Sequence, residues 1–550
     1  MDSLTLCVTN TMMKRWIQIF KHKAYDLRWA LLSGILVGTS YIPLPPWALL
    51  FCYLPLWMTV TAKPSGENSV KRALWSGWLT QFTLTAIGFH WIAYTAHEYG
   101  MLPWSVSFAA LLLFCAFMHL YIPAAVGLGV FLQNRFALSR VQTLFSIALL
   151  HALLERVWPV IFDWHLGYTL IGAHIPAYQW ADVIGFQGLS AMILLINAWV
   201  GYIWLKQHEM KKALSHLAVL LLLVVGLIVS GSIHSEKWNH FDREFKATLI
   251  QANIGNTEKI QAEKGRGAQE FITNKFTTMT QEAFINFPDT DLFVWPETAF
   301  PDYLDQHLLN RKHAQLLAQG LTSVNRPLLT GAYSRAEGMD PRNDHATFNA
   351  LFLVDGQANS ISPPYLKTNL LAFGEYLPFS ETFPILLKWL PFISNFGRGQ
   401  GPIAMTWPLH GETIHLGGQI CYEGLDAAFS RGLAEKNVDV LVNVTNDSWF
   451  GKPFEPNQHM YMTLARAIET RRPLIRSTNT GISTAILANG DIQQRSPVYQ
   501  EWSGQFTIKY LKDAPTTLYV LWGHWDWILL LLSLGAIVLT GALHARSRRS

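Results

Sequence analysis

Long apolar blocks are the feature that most constrains how this chain of 550 residues can fold. Most of them lie within the first 233 residues, and one begins near residue 521. A helix needs about 20 apolar residues to cross the hydrocarbon core of a bilayer, and six blocks have that length. With two shorter blocks, which a PLPP turn separates, they predict about eight transmembrane helices. The blocks are 29–42, 47–61, 73–94, 104–132, 141–162, 186–205, 213–233 and 521–543.

The positions of lysine and arginine predict the orientation of these helices. Basic residues flank alternate connections, whereas the intervening ones, such as AHEYGMLP after the third block, contain none. The positive-inside rule places the basic connections and both termini in the cytoplasm, so the segment after the seventh helix is exoplasmic. The basic residues are Lys14, Arg15, Lys21, Lys23, Arg28, Lys63, Lys71, Arg72, Arg135, Arg140, Lys206, Lys211, Lys212, Arg546, Arg548 and Arg549.

This topology divides the chain into three predicted units. Residues 1–233 form a membrane domain of seven transmembrane helices, residues 234–520 an exoplasmic domain, and residues 521–550 a C-terminal transmembrane helix with a cytoplasmic tail. In the middle unit, short β-branched or apolar runs alternate with stretches whose apolar spacing is near 3.6, which is typical of an α/β domain. Strands are predicted within 246–255, 290–301, 326–334, 347–356, 413–423, 439–451 and 472–492, and helices within 267–286 and 457–472.

Composition argues against a nucleic-acid partner. The net charge is only +4, and the basic residues form no patch that could follow a phosphate backbone. Hydrophobic residues make up 50% of the chain, which favours a lipid environment instead.

Glu155 and Arg156 are ionisable residues inside the fifth predicted helix. Charges inside a membrane are costly, and they usually pair or line a cavity. An ion pair near the helix end and a contact with a polar lipid headgroup are both open interpretations.

Cys421, in the sequence GGQICYEGLD, is the single cysteine of the middle unit. The other three, Cys7, Cys52 and Cys115, precede or lie within predicted membrane helices, so a disulfide with Cys421 is not expected. A lone cysteine is ordinarily a small buried hydrophobe, and a nucleophile is the alternative. No second cysteine and no H-E-x-x-H motif accompany it, so we predict no metal site.

A cysteine nucleophile needs a base and a group that stabilises the developing oxyanion. Glu297 in WPET follows the apolar run LFVW, and Lys367 is followed eight residues later by Glu375 in FGEYLP. Taken singly, such residues are usually solvated surface groups. In the order WPET, K…FGEYLP, ICYE, they resemble the nitrilase superfamily, whose members use a Glu–Lys–Cys triad on an α-β-β-α sandwich. The fold expected is therefore a membrane helical bundle of about eight helices with an exoplasmic nitrilase-like sandwich.

A nitrilase-like domain that follows seven membrane helices and precedes one is similar to the apolipoprotein N-acyltransferases, a membrane-bound family of that superfamily. The resemblance implies that Cys421 is the nucleophile, Glu297 the general base and Lys367 the electrostatic partner of the tetrahedral intermediate. It also implies supporting or substrate-binding roles in the site. These are expected for Glu375, Tyr422, Glu423 and Trp449.

The resemblance implies the last step of bacterial lipoprotein maturation. The sn-1 acyl chain of a phospholipid, preferably phosphatidylethanolamine, would pass to Cys421 as a thioester and then to the α-amine of a diacylglyceryl-cysteine on a lipoprotein precursor. No cofactor is expected, and the enzyme would lie in the inner membrane with its catalytic domain in the periplasm. The alternatives are a membrane-tethered nitrilase-like amidase or thioester hydrolase, and a transporter or lipid-binding protein with an inert exoplasmic domain.

Overall fold

The computed structural model describes residues 27–162, 164–263, 267–304, 312–335, 347–380, 382–383, 385, 388, 395–523 and 525–547. Several flanking charges that predict the topology, and one cysteine, lie outside these described residues. They are Lys14, Arg15, Lys21, Lys23, Arg548, Arg549 and Cys7.

The N-terminal part of the chain is helical, as its apolar blocks predict. Its helices are α1 (Leu27–Gly38), α2 (Leu54–Val60), α3 (Val70–Gly88), α4 (Ile92–Glu98), α5 (Trp104–Phe117), α6 (Tyr121–Phe136), α7 (Arg140–Val157), α8 (Tyr168–Gly172), α9 (Ala181–Leu205) and α10 (Met210–Glu236).

Four helical stretches of the described chain are long and apolar enough to cross a membrane. Their lengths are 33, 30, 27 and 22 residues, which agrees with the prediction of a membrane protein. The stretches are Trp104–Phe136, Pro176–Leu205, Met210–Glu236 and Asp526–Ser547.

Two predicted blocks are not single regular α-helices, although Trp104–Phe136 as a whole is one of the four long stretches. Block 104–132 holds α5 and α6, which are separated at residues 118–120. Pro123 lies in the first turn of α6, and it cannot donate the hydrogen bond that a continuous helix would need. Block 47–61 holds only the seven residues of α2, because Pro55 occupies a position that favours the start of a helix. The count of about eight transmembrane helices remains a prediction.

Glu155 and Arg156, at the end of α7, both have ionisable partners. Arg156 pairs with Asp526, and Glu155 Oε1 lies 3.2 Å from His165 Nδ1. Both side chains are almost fully buried. The ion-pair interpretation is therefore confirmed for Arg156.

The middle part of the chain folds into two stacked sheets with flanking helices. The six-stranded sheet has the order β11-β1-β2-β3-β4-β5, and the five-stranded sheet has the order β10-β9-β8-β7-β6. The strands are β1 (Arg243–Gln251), β2 (Leu292–Val294), β3 (Leu328–Arg335), β4 (Thr347–Val354), β5 (Tyr365–Leu366), β6 (Ala404–Leu409), β7 (Glu412–Ile420), β8 (Val440–Thr445), β9 (Leu474–Thr478), β10 (Thr484–Ile486) and β11 (Trp502–Tyr510). The helices of this part and of the C-terminus are α11 (Asn256–Glu263), α12 (Ala268–Asn286), α13 (Lys312–Thr322), α14 (Ala427–Glu435), α15 (Phe454–Thr470), α16 (Leu518–Trp522) and α17 (Asp526–Ser547).

Alternation along the strands explains why both faces of each sheet are covered, because successive side chains point to opposite faces. In β1, Leu249 belongs to the core between the sheets, whereas Ile250 packs in the core that α12 and α13 share. Val294 and Phe293 divide in the same way in β2. Helices α14 and α15 lie on the five-stranded side, so the layers follow the predicted α-β-β-α order. Every predicted strand and helix segment of this part contains an element of the expected type.

The strand ends bring the predicted functional residues to one edge. In the six-stranded sheet, β1, β2 and β3 are parallel, and Glu297 follows the end of β2. In the five-stranded sheet, β7, β8 and β9 are parallel, and Cys421 directly follows β7. Lys367 comes directly after β5. The carboxyl ends of parallel strands commonly form a binding crevice, and these three residues lie in it.

Helix α15 connects this site to the membrane part, and nearly all of its residues are buried. The amide nitrogen of Gln458 donates to the carbonyl oxygens of Ile42 (2.9 Å) and Gly88 (3.0 Å), and its oxygen accepts from Trp91 Nε1 (3.1 Å). Because these groups are buried, each would be costly to leave unpaired. Further polar contacts between α15 or its end and the membrane part join Arg466 to Tyr168, Glu469 to Phe186, and Arg471 to Asp182.

Candidate active site

Cys421 occupies a sharp turn at the end of β7. The strand predicted over 413–423 ends at Ile420, and a 3₁₀ turn, Cys421–Leu425, begins at the cysteine. The φ angle of Cys421 is 56°, in the left-handed region that costs a non-glycine residue about 1–2 kcal/mol. Asn443 Nδ2 donates to the Cys421 carbonyl oxygen at 3.0 Å, which helps to hold the turn. Strain of this kind is concentrated at functional sites.

Glu297, Lys367 and Glu375 form a short charged network. Lys367 Nζ lies 2.8 Å from the carboxylate of Glu375 and 3.5 Å from Glu297 Oε1. Asn349 Nδ2 donates to both carboxylates, at 2.8 Å to Glu297 and 3.1 Å to Glu375. The second oxygen of Glu297 accepts from the backbone N–H of Asn446 at 3.1 Å. The lysine therefore pairs more closely with Glu375, and the shorter contacts of Glu297 are to the neutral donors Asn349 and Asn446.

The protonation of Cys421 and Lys367 follows from this environment. Burial raises the pKa of the Cys421 thiol well above its usual value; the carboxylate of Glu297 adds to the rise, and Lys367 opposes it. The thiol is therefore neutral in the resting site. Burial alone would lower the pKa of Lys367, but the carboxylates of Glu375 and Glu297 outweigh it, so the lysine stays charged.

Glu423 is fully buried and acts on the site through the backbone. Its Oε1 accepts from Tyr365 Oη (2.6 Å) and from the N–H groups of Thr368 (2.7 Å) and Asn369 (2.9 Å), and its Oε2 accepts from the Ile420 N–H (2.8 Å). Burial raises the pKa of Glu423 to about 7. Lys367 and these hydrogen-bond donors oppose the rise, because they favour the ionised form. The carboxylate therefore ties the segment after Lys367 to the segment before Cys421. It does so without reaching the surface.

Tyr422 and Trp449 are the two aromatic residues predicted to line the site. The Tyr422 hydroxyl donates to Glu455 Oε1 at 2.8 Å, and its ring stacks on His459 with centroids 4.5 Å apart. Trp449 is half-buried and lies edge-on to Tyr99, with ring centroids 5.0 Å apart. Tyr422 thus belongs to a buried polar network, and Trp449 lies where the membrane part meets the sandwich.

Asp447, Glu455 and His459 behind Tyr422 place ligand-type atoms within 4.8 Å of one another. His459 Nδ1 lies 3.0 Å from Asp447 Oδ1 and 3.3 Å from Glu455 Oε1, while Arg476 Nη2 lies 2.9 Å from Asp447 Oδ2. Burial and Arg476 would lower the pKa of His459, but Asp447 and Glu455 raise it, which favours the protonated ring. Two cations thus balance two carboxylates, so these residues fit an ion-pair network better than a metal site.

Asn349 and Tyr365 are site residues that sequence reasoning missed. Asn349 lies in β4, within TFNALFLV, and an amide in an otherwise apolar strand is the signal that could have found it. Tyr365 lies two residues before Lys367 and supports Glu423. Neither belongs to the three motifs that carry the resemblance.

Comparison with known proteins first defines the class. A family model described as carbon-nitrogen hydrolase matches residues 246–503, the part that forms the two stacked sheets. A second, described as the apolipoprotein N-acyltransferase N-terminal domain, matches residues 33–199 of the helical part.

Individual proteins narrow the class further. The apolipoprotein N-acyltransferase of Bdellovibrio bacteriovorus is 67% identical over 550 residues, which cover 100% of both chains. That of Geobacter metallireducens is 30% identical and covers 86% of this chain and 88% of its own. The solved structure of Saccharomyces cerevisiae Nit3, a nitrilase-superfamily member, is 15% identical and covers 49% of this chain and 91% of its own, at a TM-score of 0.35. The chain belongs to the apolipoprotein N-acyltransferase family.

Proposed function

We propose that this enzyme N-acylates the N-terminal diacylglyceryl-cysteine of lipoprotein precursors and takes the acyl chain from the sn-1 position of a phospholipid. Family membership supports the reaction. The observation that carries the catalytic assignment is the position of Lys367, 2.8 Å from Glu375 and 3.5 Å from Glu297, in the crevice where Cys421 directly follows β7. In this proposal Cys421 is the nucleophile, Glu297 the general base and Lys367 the stabiliser of the oxyanion.

The first half-reaction forms the thioester. Because the Cys421 thiol is neutral, sulfur attacks the ester carbonyl as its proton passes to Glu297. The negative charge that develops on the carbonyl oxygen is stabilised by the Lys367 ammonium and by the backbone N–H of Tyr422. One such donor contributes about 3–4 kcal/mol. When the C–O bond breaks, the proton on Glu297 passes to the departing alkoxide, which leaves as a lysophospholipid.

The second half-reaction transfers the acyl chain to the lipoprotein. The α-amine of the diacylglyceryl-cysteine attacks the thioester, and Glu297 removes a proton from the nitrogen. An amide bond forms, the C–S bond breaks, and the proton returns to the sulfur of Cys421. The thioester already supplies the activation for amide formation, so the cycle balances without a cofactor.

Supporting roles follow from the contacts of the remaining predicted residues. Glu375 keeps Lys367 charged and limits its pairing with the base, because Glu375 is the closer carboxylate. Glu423 sets the spacing between Lys367 and Cys421 through the backbone. Tyr422 contributes its N–H to the oxyanion, and Trp449 lines the entry from the membrane part.

The proposed topology places both substrates beside the site. Residues 1–233 form the membrane domain, residues 234–520 the catalytic domain in the periplasm, and residues 521–550 the last helix and a cytoplasmic tail, with about eight transmembrane helices in the inner membrane. Phosphatidylethanolamine is the proposed donor. Gln357 lies in an exposed turn of the catalytic domain, so a Gln357→Cys variant should react with a membrane-impermeant thiol reagent in intact spheroplasts.

Mass spectrometry of the full chain in phosphatidylethanolamine nanodiscs tests the chemistry. We expect one acyl chain on Cys421, removed by hydroxylamine and by a diacylated lipopeptide. Cys421→Ala should lack the adduct, whereas Cys115→Ala, which removes a cysteine buried in α5, should keep it. Discharge by water at the same rate with and without lipopeptide would instead indicate a hydrolase. An adduct that persists in Cys421→Ala would refute the assignment.

A further inference from the structure

Tyr99 is a residue of the membrane part that contacts two components of the candidate site. It directly follows α4, and its backbone N–H donates to the Thr95 carbonyl oxygen at 2.8 Å, which fixes its position at the helix end. The Tyr99 hydroxyl donates to the carbonyl oxygen of Gly374 at 2.8 Å. Its ring meets Trp449 edge-on, with the ring planes at 87°. A single side chain thus contacts the loop that carries Glu375 and an aromatic residue proposed to line the entrance.

The loop that Tyr99 contacts is a tight turn with an exposed tip. The Leu371 carbonyl oxygen accepts from the N–H groups of Gly374 (3.2 Å) and Glu375 (2.8 Å), and Glu375 Oε2 accepts from the Leu371 N–H (2.9 Å). Phe373 at the tip has a φ of 64° and is 51% exposed. Backbone strain and an exposed apolar side chain both make such a turn easy to open. The hydrogen bond from Tyr99 holds the turn at the residue next to Phe373.

Displacement of this turn would change the electrostatics of the site. In the structure, Lys367 Nζ contacts two carboxylates, Glu375 at 2.8 Å and Glu297 at 3.5 Å. If Glu375 moved away with its loop, Glu297 would become the nearest carboxylate to the ammonium. A base that is paired with a lysine accepts a proton less readily. The lysine would also be drawn from the oxyanion position.

We propose that Tyr99 is a positioning residue: its hydroxyl holds the Glu375 loop closed and thereby keeps Glu375, rather than Glu297, the nearest carboxylate to Lys367. The effect on catalysis rests on the proposed acyl transfer, whereas the contact between Tyr99 and the Glu375 loop does not. The membrane part then contributes to catalysis as well as to anchoring, although Tyr99 does not touch the reacting atoms.

The test compares Tyr99→Phe with Tyr202→Phe in the full chain. Tyr99→Phe keeps the ring that packs on Trp449 and removes the hydroxyl alone. Tyr202→Phe is a matched control, because the Tyr202 hydroxyl also joins two elements, α9 and α10, at 3.2 Å from His216 Nε2. Two quantities are measured: the first-order rate of thioester formation on Cys421 at saturating phospholipid, and hydrogen exchange of a peptide that spans 368–380.

We expect Tyr99→Phe to slow thioester formation about 3- to 10-fold, the value of one neutral hydrogen bond, with little change in KM. It should also speed exchange of the 368–380 amides, whereas Tyr202→Phe should match the parent in both measurements. If hydrogen exchange in Tyr99→Phe matches the parent, the loop contact is overturned. If exchange is faster but the rate of thioester formation matches the parent, the positioning role is overturned. If the parent itself forms no thioester, the proposed function fails, while the exchange comparison still decides whether Tyr99 holds the loop.

Discussion

Replacing Glu375 with glutamine tests how the site controls its lysine. Glutamine has the same shape as glutamate without the charge, so the loop keeps its packing. Glu375 now accepts from Lys367 at 2.8 Å, from Asn349 at 3.1 Å and from the Leu371 N–H at 2.9 Å. In Glu375→Gln the side-chain NH₂ replaces one acceptor oxygen and faces at least one of these donors. Glu297 becomes the nearest charged partner of Lys367.

The magnitude follows from the contact that is lost. A hydrogen bond between charged groups contributes about 1.5–3 kcal/mol, and the Lys367–Glu375 contact is almost fully buried on the lysine side. With the base also partly neutralised, we expect a barrier about 2–3 kcal/mol higher, which slows thioester formation about 30- to 160-fold.

The pH dependence of Glu375→Gln has a definite sign. Burial lowers the pKa of Lys367, and Glu375 is the largest of the charges that raise it. Without Glu375 the pKa falls, so the lysine loses its proton as the pH rises. The variant should therefore lose activity on the alkaline side, where the parent is still active.

The assay is the rate at which the acyl adduct appears on Cys421, measured by mass spectrometry from neutral to alkaline pH. Glu412→Gln is the control, because Glu412 forms an exposed pair with Arg243 that contributes little. Glu412→Gln should show the parental melting temperature, whereas Glu375→Gln should lower it, because it removes one partner of a buried charged contact. The rates are therefore compared at a temperature at which all the proteins are folded. A Glu375→Gln enzyme with the parental rate and pH profile would refute the reasoning about Lys367.

Three further variants test the site and its support. Asn349→Asp replaces the donor to two carboxylates with a third carboxylate, so thioester formation should slow and recover in part at acidic pH; a pH-independent loss would contradict this. Gln458→Leu leaves three buried groups unpaired, at about 1–3 kcal/mol each, and should lower the melting temperature, whereas Gln357→Leu on the surface should not. Arg476→Met leaves Asp447 buried without its arginine, and should destabilise by about 3–5 kcal/mol in chemical denaturation; a parental midpoint would show that the network adds no stability.

The sequence predicted the candidate site well where chemistry is carried by short motifs. WPET and ICYE lie within the predicted strand segments 290–301 and 413–423, and parallel strands bring such ends together. FGEYLP was recognised from its motif alone, because no strand was predicted beside it. Glu297, Lys367 and Glu375 accordingly lie in one network. Asn349 was missed because its contacts depend on the pairing of β4 with β5, which no local pattern reveals. The chemical roles of these residues remain predictions.

Long-range pairing also limited the prediction of the fold. β5 has only two residues, too few to show a period of two, and β6 was not predicted. β11 alternates buried and half-buried residues along WSGQFTIKY. It pairs with β1, which lies at the opposite end of the domain's sequence, so no local pattern reveals the pairing. In the membrane part, hydropathy alone did not reveal the break at residues 118–120 between α5 and α6, which depends on Pro123.

If two lipids react in turn at Cys421, as we propose, helix α15 limits how they can reach it. One side of the helix is fastened to the membrane part by Gln458, and the adjacent His459 belongs to the network behind Tyr422. A sandwich domain joined in this way cannot rotate as a separate body between a phospholipid donor and a lipoprotein acceptor. In the proposed cycle both lipids must therefore diffuse to a thiol that stays in place. The exchange of the lysophospholipid product for the lipoprotein acceptor then depends on the entrance to the site. Without the membrane part, the helix residues Gln458, Arg466 and Glu469 would lose these buried partners, so we expect the isolated sandwich to be less stable than the full chain.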